Sequence, residues 1–199
     1  SRLGPELLSE VYGNPYSKIK VYYCSSYDFI ELENVMSVRN PARTLVVISS
    51  KSFNTPEVIE NANKAKDWLE SLVGEHCWDQ IIGVSSNKDG MTEFGIQEVN
   101  QFEILDSIGG RYSIWSSISL PAIVDMGWKS FEEFLEGAYE ADKHFRNNPW
   151  DQNIPVLMAL MSVWNTNGLG INNLGIFTYD YKIRSLVKYL SQMGMESNG

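Results

Sequence analysis

The chain has 199 residues, 43% of them apolar and 12% aromatic, which suits one large or two small domains with a real core and excludes disorder. Sixteen Lys and Arg against 25 Asp and Glu leave a net charge of −9, which argues against a nucleic-acid partner or an anionic membrane surface. No apolar run reaches the ~18–20 residues of a membrane span, no signal-peptide pattern opens the chain, and the expectation is a soluble cytoplasmic protein.

Cys24 and Cys77 stand far apart, outside any metal or redox motif, and read as reduced thiols. His76 and His144 have no second ligand at metal spacing, so no metal site is expected.

In chain order, the opening 1–5 (SRLGP) runs directly into a helix, with Pro5 near its first turn. Strands are predicted at 20–23 (KVYY), 44–49 (TLVVIS), 80–84 (QIIGV), 102–105 (FEIL) and 175–178 (GIFT). TLVVIS is apolar on both faces and suits a central strand. Val58, Ala62, Ala65, Leu69 and Leu72 form one helical stripe. A second comprises Phe131, Phe134, Leu135, Ala138 and Phe145, and a third Ile183, Leu186, Val187 and Leu190. Two further helices, 112–126 and 154–164, are apolar almost all round and are expected to be buried. Strands alternating with helices predict an α/β fold with a mostly parallel sheet. A composition change near 126–130 suggests a domain boundary, and both ends read as those of a truncated chain.

Three stretches could carry chemistry. The first is 47–57 (VISSKSFNTPE), a strand, a polar turn and a helix start with Pro56 behind Thr55 or Asn54 as N-cap. Unpaired N–H groups, the Ser50, Ser52 and Thr55 hydroxyls and the Lys51 ammonium could together hold a phosphate; the bland alternative is a capped helix with a solvated lysine. The turn is neither a P-loop nor a dinucleotide loop. The second is 106–117 (DSIGGRYSIWSS), where Arg111 enters an apolar segment and needs a carboxylate, a phosphate or a polar cavity. The third is 192–199 (QMGMESNG), read as a polar loop that carries Glu196 just beyond a helix.

Together these stretches resemble the phosphoglucose isomerase family. The opening SRLGP looks like the end of its G-I-G-G-S-x-L-G-P turn, and 50–57 resembles S-K-T-F-T-T-x-E. GGRYSIWS is similar to G-G-R-Y-S-x-W-S, 137–145 to G-A-H-x-M-D-x-H-F, and the C-terminal QMGMESNG to Q-x-x-M-E-S-N-G-K. The likeness runs from residue 1 to residue 199. Ser52 and Asn54 stand where the family has threonines, and Tyr139 where it has a histidine.

The resemblance implies a three-layer α/β/α sugar-isomerase (SIS-type) domain over 1–125, lacking its first strand, and the opening part of a second such domain over 126–199. It implies reversible conversion of glucose 6-phosphate to fructose 6-phosphate through a cis-enediol, in glycolysis and gluconeogenesis, by a homodimer without cofactor. Glu196 would move the proton and Arg111 stabilise the enediolate; Ser1, Ser50, Lys51, Ser52, Thr55 and Gln192 would bind the substrate. At a Debye length of about 8 Å in physiological salt, the net negative charge need not repel an anionic sugar. The family's further catalytic histidine and lysine fall outside this sequence, so residues 1–199 alone are expected to be inactive, and His144 is not their substitute. A non-catalytic sugar-phosphate-binding module, or an isomerase for another phosphosugar such as mannose 6-phosphate, would share much of this pattern.

Overall fold

The computed structural model describes residues 2–198. Three short strands pair in parallel in the order β1 (Val46–Ser49), β2 (Ile81–Ser85) and β3 (Gln101–Glu103). Val46 lies opposite Ile81, and Gly83 opposite Gln101.

Alternation along these strands builds two faces. Val46, Ile48 and Ile81 point toward α3 (Pro56–Val73) and α4 (Lys88–Phe94), where they pack with Ala62, Leu69, Cys77, Met91 and Ile96. Val47, Ile82 and Val84 point the other way, onto Ile104, Ile108, Ile118 and Leu120. Both sides of the sheet are therefore covered, as a parallel sheet requires. Gly83 lets α4 approach: a Cβ there would meet Met91 Sδ at 2.6 Å and Ile96 Cδ1 at 2.9 Å.

A second core gathers helices alone. Leu7 and Leu8 of α1 (Leu3–Tyr12), Ala122 and Met126 of α5 (Leu120–Met126), Phe131 of α6 (Trp128–Asn147) and Tyr189 of α8 (Leu186–Asn198) pack around Ile114. Trp115 stacks on Phe134 with ring centroids 4.2 Å apart. The remaining helices are α2 (Ile30–Val38) and α7 (Ile154–Val163).

The α/β class and the parallel sheet match the sequence expectation; several details do not. Residues 20–23 and 175–178 form no strand, because no described segment pairs with them. The strand within TLVVIS is an edge strand among the described residues, and β2 is the central one. The 112–126 helix is broken: Gly110–Trp115 and Ser117–Ser119 are 3-10 turns, separated at the extended Ser116, and only Leu120–Met126 is α-helical. In α7 no residue is buried: α6 lies against it and leaves Met158, Leu160 and Met161 exposed. Leu72 and Phe145 likewise lie outside the cores their stripes join. Finally, α8 runs through 192–198 rather than stopping short, so Glu196 stands on a helix and not in a loop.

Candidate active site

Two clusters form near the carboxyl ends of the strands. The first follows β1. Ser50 is buried, and its hydroxyl accepts the Phe53 N–H at 3.2 Å and shares a hydrogen bond with the Thr55 hydroxyl at 3.2 Å. Thr55 is the N-cap of α3 by backbone position, with Pro56 at the first helical turn, but its side chain serves the loop and not the helix.

Phe53 shapes this turn. Its φ of 51° lies in the left-handed region that bulky residues avoid, and its ring is buried edge-on against Phe94 at 5.9 Å. The reversal leaves the N–H groups of Ser52, Asn54 and Thr55 without an acceptor among the described residues. Open N–H groups at a helix start, with the exposed Ser52 hydroxyl beside them, form a surface suited to an anion.

The loop is braced by residues the sequence reading missed. Ser85 and Ser86 both donate hydroxyl hydrogen bonds to the Lys51 carbonyl, at 2.8 and 2.9 Å, and Asn87 Nδ2 donates to the Ser52 carbonyl at 3.0 Å. A signal was available: 85–87 (SSN) leaves β2 where 50–52 leaves β1, and adjacent parallel strands bring such turns together. The Lys51 ammonium donates to the Asp106 carbonyl at 2.8 Å, which ties the loop to the turn that leads to Arg111.

The second cluster joins that turn to α8. Arg111 Nη1 faces Glu196 Oε2 at 3.7 Å, and Arg111 Nε donates to Ser197 Oγ at 2.9 Å. Gln192, one helical turn before Glu196, donates to its Oε1 at 2.7 Å. Tyr189 donates its hydroxyl to the Arg111 carbonyl at 3.0 Å, and the guanidinium lies over the Tyr112 ring, 5.2 Å from its centroid. The Ser197 hydroxyl, then Arg111, hold the Tyr112 phenol below its ordinary range, whereas burial pushes Tyr189 up.

The arrangement thus offers a carboxylate and a guanidinium side by side, half-exposed and next to a shallow depression lined by Leu3, Val187, Lys188 and Met195. Chemically, that pair can accept a proton from carbon and stabilise the oxyanion that results. Of the sequence-predicted residues, Arg111 and Gln192 both lie against Glu196, and Ser50, Lys51, Ser52 and Thr55 share the other cluster. The hydrogen bond from Lys51 to the Asp106 carbonyl links the two clusters, and Ser1 lies outside the described residues.

The phosphoglucose isomerase family model matches residues 1–199. This chain belongs to the phosphoglucose isomerase family. Among curated relatives, the glucose-6-phosphate isomerase of Pseudomonas putida (strain GB-1) is 42% identical over 203 residues, covering 100% of this chain and 36% of the relative. That of Acinetobacter baylyi is 40% identical, again across 100% of this chain and 37% of its own length. The crystal structure of a glucose-6-phosphate isomerase from Chlamydia trachomatis D/UW-3/Cx superposes with a TM-score of 0.89 at 29% identity, over 99% of this chain and 38% of that one. The chain therefore spans little more than a third of the phosphoglucose isomerases it matches.

His144 plays a different part in this family member. Its Nε2 accepts the Ile154 N–H at 3.0 Å, its Nδ1 lies 3.0 Å from Asn148 Nδ2, and Asn153 Oδ1 accepts the Val156 N–H. Two side chains thus satisfy the free N–H groups at the start of α7. His144→Ala is expected to lower the unfolding free energy of the full-length protein by on the order of 1 kcal/mol, read by thermal denaturation.

Proposed function

We propose that the protein to which this chain belongs is a glucose-6-phosphate isomerase that interconverts glucose 6-phosphate and fructose 6-phosphate. The observation that carries this reading is the Arg111–Glu196 pair, brought together by segments 85 positions apart in sequence and flanked by Gln192.

In the opened sugar, the Glu196 carboxylate takes the proton from C2. The electron pair left behind forms the C1–C2 double bond of a cis-enediolate, and its oxygen charge is stabilised by the Arg111 guanidinium. The C2 hydroxyl proton passes to the C1 oxygen and the same carboxylate returns its proton to C1, so C2 becomes the carbonyl and the aldose becomes a ketose with no net change in atoms or electrons. The anion-suited turn at Ser50, Lys51, Ser52 and Thr55 holds the unreacting phosphate, which restrains the reacting carbons before Glu196. Gln192, with one amide hydrogen on Glu196, serves both the base and the bound sugar.

The same reading takes 1–125 and 126–199 as parts of two SIS-type domains, and takes the full-length protein as a cytoplasmic homodimer of glycolysis and gluconeogenesis. Residues 1–199 alone would then be inactive.

The test is turnover in deuterated water. The full-length protein is expected to form fructose 6-phosphate from glucose 6-phosphate with deuterium incorporated from solvent at the migrating position, because a carboxylate-borne proton exchanges during the enediolate lifetime. Binding of the sugar phosphate without conversion would overturn the proposal in favour of a non-catalytic module.

A further inference from the structure

Ser197 belongs to neither the proton-transfer pair nor the anion turn, yet it sits at the junction of Arg111 and Tyr112. Its Oγ accepts from Arg111 Nε at 2.9 Å and lies 3.3 Å from the Tyr112 hydroxyl. One hydroxyl can accept from the guanidinium while donating its own hydrogen to the phenol oxygen, so both sides are satisfied by one group.

The location of that contact matters. Arg111 is held at its carbonyl by Tyr189, at Nε by Ser197 and on one face by the Tyr112 ring. The carbonyl contact fixes the backbone but leaves the side-chain torsions free. The ring contact fixes distance but not rotation in the ring's plane. The Nε hydrogen bond ties one edge of the planar guanidinium to α8 and so sets which edge turns toward Glu196. With Nε engaged, Nη1 faces the carboxylate at 3.7 Å.

Ser197 also follows Glu196 directly on α8. Consecutive helical positions are about 100° apart, so the base and the hydroxyl grip two edges of one guanidinium from one rigid element. Any shift of α8 then moves base and oxyanion stabiliser together.

We propose that Ser197 is a positioning residue for the isomerisation: its hydroxyl orients the Arg111 guanidinium toward the space before Glu196. The inference rests on the isomerase reading above. It assigns Ser197 no contact with substrate; its effect passes through Arg111.

The experiment uses the full-length protein, with kcat and KM for glucose 6-phosphate measured for the unsubstituted chain, Ser197→Ala, Ser197→Thr, Arg111→Lys and the Ser197→Ala/Arg111→Lys double variant. Ser197→Ala is expected to lower kcat about 10- to 100-fold with KM within twofold, the size of effect that a misplaced catalytic group produces. Ser197→Thr, which keeps the hydroxyl, restores most of the loss. In the Arg111→Lys background, which lacks a guanidinium to orient, Ser197→Ala adds less than threefold. A kcat for Ser197→Ala equal to that of the unsubstituted protein overturns the proposal. So does an equal loss in the Arg111→Lys background, or a loss that Thr does not rescue. No turnover by the unsubstituted protein overturns the isomerase reading itself, and this inference with it.

Discussion

Replacing Glu196 with Gln in the full-length protein is expected to lower kcat about 10²- to 10⁴-fold, the range spanned by positioned acid–base catalysis, while KM for the sugar phosphate changes only a few-fold. The substitution keeps the shape of the side chain. Its amide oxygen still faces Gln192 Nε2, which donates to the Glu196 carboxylate at 2.7 Å, but it no longer accepts a proton from carbon. Folding should hardly respond. The ion pair to Arg111 is partly exposed, with side-chain exposures of 31% and 44%, and pairs of that kind contribute about 0–1 kcal/mol. An unchanged melting temperature with a collapsed kcat is therefore the expected signature. A variant that keeps its kcat would show that another group moves the proton. A protein that binds sugar phosphate equally well with Glu or Gln and turns over neither would be a binding module.

The sequence made much of this site legible and less of the fold. Arg111 called for a carboxylate, a phosphate or a polar cavity on electrostatic grounds, and a carboxylate, Glu196, lies beside it. Ser50 and Thr55 were readable as polar groups at a helix start, and they hydrogen-bond each other. What stayed hidden were the braces: Ser85, Ser86, Asn87, Tyr112 and Ser197 carry no local signature, because their roles exist only once distant segments meet. The end of α8 misled for a related reason. Gly194 and the polar 196–198 favour a loop by intrinsic propensity, yet the helix continues, with Asn198 Nδ2 donating to the Gly194 carbonyl and Ser197 bonded to Arg111. Tertiary contacts outweigh a propensity deficit of roughly 1 kcal/mol. In α7 the failure is of another kind. An all-round apolar helix wants burial on every side, and among the described residues the contact with α6 leaves Met158, Leu160 and Met161 exposed. For 175–178 the apolar run is present but Phe177 stands exposed at 78%, because a strand is defined by its partner and not by its own residues.

Phe53 joins fold and site most tightly, and Phe53→Ala should be the most disruptive single change in the anion turn. At φ 51° a residue with a Cβ sits at a cost of about 1–2 kcal/mol, and the native loop tolerates it only because the ring is driven into the core. Burial of such a ring contributes about 1.5–3 kcal/mol, and the edge-on pairing with Phe94 about 0.5–1.5 more. Truncation removes the anchor, keeps the strained backbone and leaves a cavity beside Met91 and Ile96, for an expected loss of about 3–5 kcal/mol in unfolding free energy by denaturant titration. The turn it holds should loosen as well, so that KM for glucose 6-phosphate rises at least about tenfold while the protein remains folded. Phe53→Gly separates the two contributions. Glycine loses the same ring but accepts a positive φ freely, so it should be more stable than Phe53→Ala by about 1 kcal/mol, the reverse of the usual order of Gly and Ala. If Phe53→Gly proved the less stable of the two, the left-handed backbone would not be what the buried ring holds in place, and a merely local loss of packing would account for the rest.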